Sequence, residues 1–191
     1  MLTGSQKVIA IGASTGGVAA LTELLSSFPA TIPPVLIVLH MPENFTRIFA
    51  EKLDLSLKMS VKEAQQGDLV VPGQVLIAPG GKHMKLAKKG GSLITECFVG
   101  ERVQFVIPSA DVLFDSVADL VGRNAIGVIL TGIGGDGARG LLKMRQQGAK
   151  TIGQDKETSA IYGMPRAAFE MGAVEHVLPL DKIAAKILSL L

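Results

Sequence analysis

Short apolar runs of strand length alternate along this chain with stretches whose apolar residues have helical spacing. The clearest runs are rich in Val, Ile and Leu, and they lie at 8–11, 35–39, 75–78 and 125–130. Helical spacing follows at 17–28, where Val18, Leu21, Leu24 and Leu25 predict a buried face, and at 138–147, and proline or glycine ends each of these two stretches. Because alternating strands and helices are joined by crossovers, this order predicts a doubly wound α/β fold, mostly parallel, with helices on both faces of the sheet.

The remaining segments continue this alternation, with one exception. Further predicted strands lie at 59–63, 149–153 and 174–178. Further predicted helices lie at 45–53, at 109–122 with Ser109 as its cap, at 163–171, and at 181–190 with Asp181 as its cap. The exception is 82–98, where two alternating segments flank Lys88-Lys89-Gly90-Gly91, which is typical of an antiparallel hairpin. We expect residues 1–7 to be a tail or linker remnant, and 8–191 to be one domain.

The composition excludes several classes of protein. With 191 residues, 48% hydrophobic and 19% charged, the chain can bury one large core. Its formal charge is only +2 and no basic stripe is visible, so no nucleic-acid partner is predicted. No apolar stretch reaches the roughly 18 residues of a membrane span, and no signal peptide opens the sequence. These features, with the single cysteine Cys97 interpreted as a small strand residue, predict a cytoplasmic protein without membrane insertion.

Three chemically useful side chains each follow a different predicted strand. Ser14 lies in Gly12-Ala13-Ser14-Thr15-Gly16, which fits the G-x-S-x-G turn that exposes a nucleophilic serine. His40 follows the strand at 35–39, and Asp136 lies in the glycine-rich turn after 125–130. Since the carboxyl ends of parallel strands share one edge of the sheet, we expect the three to converge. Serine, histidine and aspartate are the nucleophile, base and orienting carboxylate of a hydrolase triad, although their chain order is not that of the α/β-hydrolases.

Other interpretations of these residues remain open at this point. Serine before glycine is a common helix cap, histidine after a strand is often an ordinary loop residue, and aspartate between glycines forms turns. The turn at 132–137 also fits G-x-G-x-x-G, and Asp155 follows at about the 20-residue distance of a dinucleotide site. Against that alternative, Asp136 would place a carboxylate where a pyrophosphate should bind. No P-loop or metal-ligand spacing is present, and a docking module without activity is a further alternative.

Six motifs in order give the chain a close resemblance to the catalytic domain of the chemotaxis protein-glutamate methylesterases of the CheB type, which are also glutamine deamidases. The motifs are Ile-Gly-Ala-Ser-Thr-Gly-Gly (11–17), Leu-His-Met-Pro (39–42), Ala-Pro-Gly-Gly-Lys-His-Met (78–84), Pro-Ser-Ala-Asp-Val-Leu-Phe (108–114), Thr-Gly-Ile-Gly-Gly-Asp-Gly (131–137) and Tyr-Gly-Met-Pro (162–165). The resemblance covers about residues 8 to 190, and it implies that Ser14 is the nucleophile, His40 the general base and acid, and Asp136 the orienting carboxylate.

The resemblance also carries expectations about substrate and surroundings. It implies hydrolysis of γ-glutamyl methyl esters on the cytoplasmic helices of chemoreceptors, with no metal or cofactor. Backbone N–H groups near Thr15 and Ile133 would hold the oxyanion, and His83 and Met164 are candidates for lining the crevice. Two departures stand out, because the family usually has Met at the position of Ile133 and often Arg at that of Ile107. Relatives carry an N-terminal receiver domain that covers the site, so we expect this chain to be a catalytic fragment or an open relative.

Overall fold

A computed structural model describes residues 6–191, so the first five residues of the predicted N-terminal tail lie outside the described range. Within that range the chain forms β1 (Val8–Ala13), α1 (Gly17–Ser26), β2 (Val35–Leu39), α2 (Phe45–Asp54), β3 (Ser60–Glu63), β4 (Gln74–Ile77), β5 (His83–Lys89), β6 (Ser92–Phe98), α3 (Ala110–Leu120), β7 (Ala125–Ile129), α4 (Ala138–Gln146), β8 (Lys150–Gln154), α5 (Met164–Glu170), β9 (His176–Leu178) and α6 (Leu180–Ser189). The predicted elements are all present, and their bounds differ from the prediction by at most two residues.

Seven strands form one sheet in the order β3-β4-β2-β1-β7-β8-β9, and every neighbouring pair is parallel. The strands β5 and β6 form a separate antiparallel hairpin. The predicted doubly wound fold with a hairpin excursion is therefore confirmed. Within residues 6–191, no helix is both long and apolar enough to cross a bilayer.

Two apolar cores lie on opposite faces of the sheet because successive strand residues point in opposite directions. On β1, Ile9 and Ile11 pack with α1, α2 and α6, whereas Val8 and Ala10 pack with α3, α4, α5 and the hairpin. Both faces are apolar, as expected for a parallel sheet covered by helices. The helices thus hold the strand ends in fixed positions.

Two local predictions need correction. Val18, expected on the buried face of α1, is 44% exposed, because it lies in the first turn of the helix, at the carboxyl edge of the sheet, where it lines a groove. Asp181 lies in the first turn of α6 and does not cap it; the cap position is Pro179, which has an extended backbone. Neither difference changes the packing of the sheet.

The strand order reverses at the centre of the sheet. From β1 the chain adds β2, β4 and β3 on one side and then returns to add β7, β8 and β9 on the other. Ligands of open α/β sheets bind at such switch points, outside the carboxyl ends of the strands. Ser14, His40 and Asp136 follow β1, β2 and β7, the three strands at this switch point.

Candidate active site

The register of the central strands places Ser14 beside His40. Ala13 on β1 pairs with Leu39 on β2, so the next residues of two adjacent strands are Ser14 and His40. Parallel neighbours lie about 4.8 Å apart. The backbone continues the pairing, since His40 N–H donates to the Ala13 carbonyl at 3.1 Å and Ser14 N–H to the Thr131 carbonyl at 3.0 Å. The sheet itself therefore juxtaposes the serine and the histidine.

Asp136 is buried and accepts four hydrogen bonds. Its Oδ2 accepts from His40 Nε2 at 2.8 Å and from Ala110 N–H at 2.6 Å. Its Oδ1 accepts from the Ser109 hydroxyl at 2.6 Å and from Asp111 N–H at 3.2 Å. Two of these donors are the first backbone N–H groups of α3, which have no partner within the helix. Asp136 thus caps α3 and holds His40 at the same time.

The hydrogen bonds decide the charge of Asp136. Burial favours the neutral carboxyl and by itself would raise the pKa of Asp136. The hydrogen bonds from His40, from the Ser109 hydroxyl and from the two backbone N–H groups outweigh burial, so the pKa lies below its ordinary value. Asp136 is accordingly a carboxylate at neutral pH.

This carboxylate fixes the tautomer of His40. Because an ionised carboxylate only accepts hydrogen bonds, the proton of neutral His40 is on Nε2, and Nδ1 is left as the basic nitrogen. The side chain of His40 is 12% exposed and that of Asp136 3% exposed. The pair is therefore shielded from water on the Asp136 side while His40 still borders the crevice.

The segment around Ser14 is open by comparison. Within residues 6–191 the Ser14 hydroxyl has no hydrogen-bond partner, and the N–H groups of Thr15 and Ile133 donate to no protein acceptor. Gly16, the cap position of α1, has φ +82°, a left-handed conformation that glycine adopts without strain. This turn places the unpartnered Ser14 hydroxyl next in sequence to the unpartnered Thr15 N–H.

Gly132 allows the second glycine-rich loop to approach the serine. A Cβ at Gly132 would lie 2.3 Å from Met164 Sδ and 2.7 Å from Ser14 Cβ, distances that non-bonded atoms do not adopt. The loop is held there by Thr131, whose hydroxyl donates to the Thr15 carbonyl at 2.9 Å and accepts from Ile161 N–H at 3.0 Å. The close contact brings Gly132, the residue before Ile133, directly against Ser14.

Comparisons with known proteins agree with this geometry. Residues 9–187 match the family model described as CheB methylesterase. The chain belongs to the CheB methylesterase family. It superimposes on the crystal structure of the Thermotoga maritima CheB methylesterase catalytic domain with a TM-score of 0.95 and 38% identity, covering 98% of this chain and 100% of the other.

Curated relatives of this CheB-family chain are longer than it is. A protein-glutamate methylesterase/protein-glutamine glutaminase of Syntrophotalea carbinolica is 50% identical over 187 residues, which are 98% of this chain and 53% of the relative. A protein of the same name from Sulfurimonas denitrificans is 51% identical, again over 98% of this chain and 53% of its own length. The chain therefore spans about half the length of the curated relatives it matches.

Two grooves meet at His40 in this CheB-family site. The larger, about 860 Å³, runs from Ser14 along α1 to Ser26. The smaller, about 450 Å³, is bordered by Arg102 and Ile107. His40 lines both grooves, so the two form a continuous depression across the site.

His83 and Met164, the expected crevice residues, lie behind the site. His83 is 2% exposed; its Nδ1 accepts from Ser109 N–H at 3.2 Å, and its Nε2 donates to the Glu101 carbonyl at 2.8 Å. Met164 is fully buried against Gly132. Both residues are in position to support the site from inside the protein, but neither presents a free polar atom to a substrate.

Ser109 is the important residue that sequence analysis interpreted differently. It occupies the cap position of α3, as expected, but it makes no side-chain cap there, and its hydroxyl is directed to Asp136. In exchange, Asp111 in the first turn of α3 accepts from Gly140 N–H of α4 at 2.7 Å. The helices α3 and α4 therefore cap each other through two buried aspartates. The sequence signal of this arrangement is the Pro-Ser-Ala-Asp motif at 108–111.

The same contacts account for the residues of the dinucleotide alternative. The N–H of Gly140, in the first turn of α4, donates to Asp111, and Asp136 is directed inward to α3. Asp155 accepts from the N–H and hydroxyl of Thr158 at 2.9 and 2.7 Å, and thereby closes a turn.

Cys97 is a poor nucleophile because burial, with the charges of nearby carboxylates, raises its pKa to about 11.

Proposed function

We propose that this chain is a serine hydrolase that removes methyl groups from glutamate γ-methyl esters of chemoreceptors and also deamidates specific receptor glutamines. The observation that carries the proposal is the Asp136–His40 pair, fixed at 2.8 Å beside an unpartnered Ser14 hydroxyl. The names of the curated relatives, protein-glutamate methylesterase/protein-glutamine glutaminase, support the same substrate chemistry.

In the first half of the reaction, His40 Nδ1 takes the proton of the Ser14 hydroxyl as the oxygen attacks the ester carbonyl. Asp136 stabilises the imidazolium that forms, because its carboxylate already binds Nε2. The N–H groups of Thr15 and Ile133 donate to the oxyanion, a contribution typically of a hundredfold or more for each donor. A backbone donor also explains why isoleucine serves where the family usually has methionine.

Collapse of this intermediate breaks the ester C–O bond, and methanol leaves with the proton from His40. The receptor glutamate is then an acyl ester of Ser14. Water, deprotonated by His40, attacks that ester and releases glutamate and the serine hydroxyl. A glutamine side chain follows the same route with ammonia as the leaving group, and no step calls for a metal ion or cofactor.

The setting of this reaction is also part of the proposal. Residues 8–191 act as the catalytic unit in the cytoplasm, on the helical cytoplasmic part of the receptor. In longer relatives a receiver domain would cover the crevice and regulate it.

The test is methanol release from a methylated receptor fragment. Ser14→Ala should lower the rate by at least about four orders of magnitude, because the nucleophile is lost, without loss of stability. Ser26→Ala is the matched control, since Ser26 lines the far end of the same groove and should be dispensable. Hydrolysis by Ser14→Ala at the wild-type rate would refute the triad.

A further inference from the structure

The segment between the hairpin and α3 contains a tight turn at an unusual sequence. Val103 and Val106 pair through reciprocal N–H to carbonyl bonds of 3.1 and 3.0 Å, which leaves Gln104 and Phe105 as the two central residues. Both have positive φ, 48° for Gln104 and 69° for Phe105. Two-residue turns of this kind strongly favour asparagine and glycine, because larger side chains are strained at positive φ.

The side chain of Phe105 makes no buried packing contact that would offset this strain. Its side chain is 92% exposed, so it contributes almost no buried apolar surface. A single exposed apolar residue is ordinary in itself. An exposed aromatic residue held at positive φ is not, and such outliers are concentrated at ligand-binding positions.

The turn is fixed to the catalytic loop. The Gln104 side-chain amide donates to Asp111 Oδ2 at 2.7 Å and to the Gly135 carbonyl at 3.4 Å, next to Asp136. On the other side of the turn, Arg102 and Val106 border the smaller groove that ends at His40. The backbone of Phe105 is therefore held between the loop that carries Asp136 and the smaller groove, and its ring extends into solvent.

Other exposed apolar side chains lie on neighbouring loops of the same edge. Ile133 is 63% exposed and Ile161 is 40% exposed, and the Gly132 N–H bond to the Ile161 carbonyl, 3.0 Å, holds their loops together. A methyl ester or an amide carries no charge, so the receptor surface around a target residue loses a carboxylate. The exposed side chains of Phe105, Ile133 and Ile161 are apolar, which suits contact with such a less charged surface.

We propose that Phe105 is a docking residue for the protein substrate. Its ring packs on the apolar face of a receptor helix, beside the residue to be hydrolysed. The proposal rests on the receptor-directed function proposed above. It assigns Phe105 to recognition of the helix and not to the chemistry at Ser14.

The experiment compares two substrates and one binding reaction. The substrates are a methylated receptor cytoplasmic fragment and the small ester p-nitrophenyl acetate, and binding to the fragment is measured in the Ser14→Ala background. Phe105→Gly relieves the strain and removes the ring, and Phe105→Tyr keeps the ring. Leu55→Ser is the control, because Leu55 is 90% exposed but follows the end of α2, at the opposite edge of the sheet.

Phe105→Gly should lower kcat/KM for the receptor fragment at least tenfold more than for the small ester, weaken binding by a similar factor and leave the unfolding temperature at or above that of the wild type. Phe105→Tyr should bind within about threefold of the wild type, and Leu55→Ser should be unchanged throughout. Equal losses on both substrates, a lower unfolding temperature or unchanged binding would each overturn the docking role. If the wild-type protein released no methanol from the fragment while binding in the Ser14→Ala background still depended on Phe105, the proposed function alone would be refuted.

Discussion

The two halves of the candidate site differ in how completely the protein uses its own hydrogen bonds. Around Asp136 both carboxylate oxygens accept two hydrogen bonds each, and the side chain is almost fully buried. Around Ser14 the hydroxyl and the N–H groups of Thr15 and Ile133 have no partner within residues 6–191. His40 joins the two halves.

The difference separates positioning from reaction. In the proposed mechanism, the groups around Asp136 (the carboxylate half) keep their charge and orientation during catalysis, and the fold supplies every partner in advance. In the same mechanism, the groups around Ser14 (the nucleophile half) accept a carbonyl, an oxyanion and a water in turn, and donors already bound to protein would be of no use there. Truncations in the carboxylate half should therefore lower stability and activity together, whereas truncations in the nucleophile half, such as Ser14→Ala, remove no hydrogen bond within the protein and should lower activity alone.

Asp136→Asn tests this contrast with the largest expected effect. The amide NH₂ would face two donors, His40 Nε2 and Ala110 N–H, and would invert the His40 tautomer. We expect hydrolysis to fall about 10³- to 10⁴-fold, in line with other triads, and the free energy of unfolding to fall by about 2–3 kcal/mol because buried donors lose their acceptor.

Methanol release and urea unfolding would measure the two losses of Asp136→Asn. Asp115→Asn, on the exposed face of α3, is the control and should change neither quantity appreciably. Activity lost at full stability would mean that Asp136 does not hold α3, and the contrast between the halves would then fail.

Gly132→Ala examines the nucleophile half. The added methyl group would press on Ser14 Cβ at 2.7 Å and displace the hydroxyl, and a displacement of about 1 Å costs on the order of a hundredfold in rate. We expect kcat to fall by about that factor, with a loss of about 1–3 kcal/mol in the free energy of unfolding because the methyl group also meets the buried Met164 Sδ at 2.3 Å. Gly67→Ala, where φ is +83° and the surrounding space is open, is the control and should lose stability at normal kcat.

Ser109→Ala should have the smallest effect and should act through pH. The hydrogen bonds to Asp136 lower its pKa, so its ionisation stabilises the protein above the unfolded pKa of about 3.9, and this stabilisation is lost as pH falls through the folded pKa. Without the Ser109 hydroxyl that pKa rises, and acid unfolding should begin at a higher pH. We also expect a loss of about 1–2 kcal/mol at pH 7 and roughly tenfold lower activity.

Circular dichroism during an acid titration would follow this change in Ser109→Ala. Ser116→Ala serves as a control on the same helix, because its hydroxyl binds Leu86 N–H and not the triad. An acid midpoint that moves equally in both variants would show that the shift does not come from Asp136.

The sequence predicted the features that depend on local pattern. A strand end is visible in the chain as an apolar run followed by a turn, so Ser14, His40 and Asp136 could be located and their common edge inferred. The family resemblance then supplied the roles. The bounds of the elements agreed because glycine and proline mark most of them.

What the sequence could not predict depends on contacts between distant segments. The Ser109 hydroxyl donates to Asp136, 27 positions away, and does not cap its own helix. Tertiary packing decides between these two arrangements, so the local sequence could not predict which one forms. The turn at Gln104 and Phe105 has neither glycine nor asparagine, so no turn signal was present. Val18 carried the helical spacing of a buried residue, but its burial depended on where α1 begins relative to the edge of the sheet.

The exchange of caps between α3 and α4 has a consequence for how the protein reaches its active form. Asp136 precedes α4 but completes the first turn of α3, and Asp111 on α3 completes the first turn of α4. Neither helix can therefore finish its amino end until the other has docked, and the carboxylate for His40 is aligned by the same event. The position of the carboxylate that holds His40 thus depends on the mutual docking of α3 and α4.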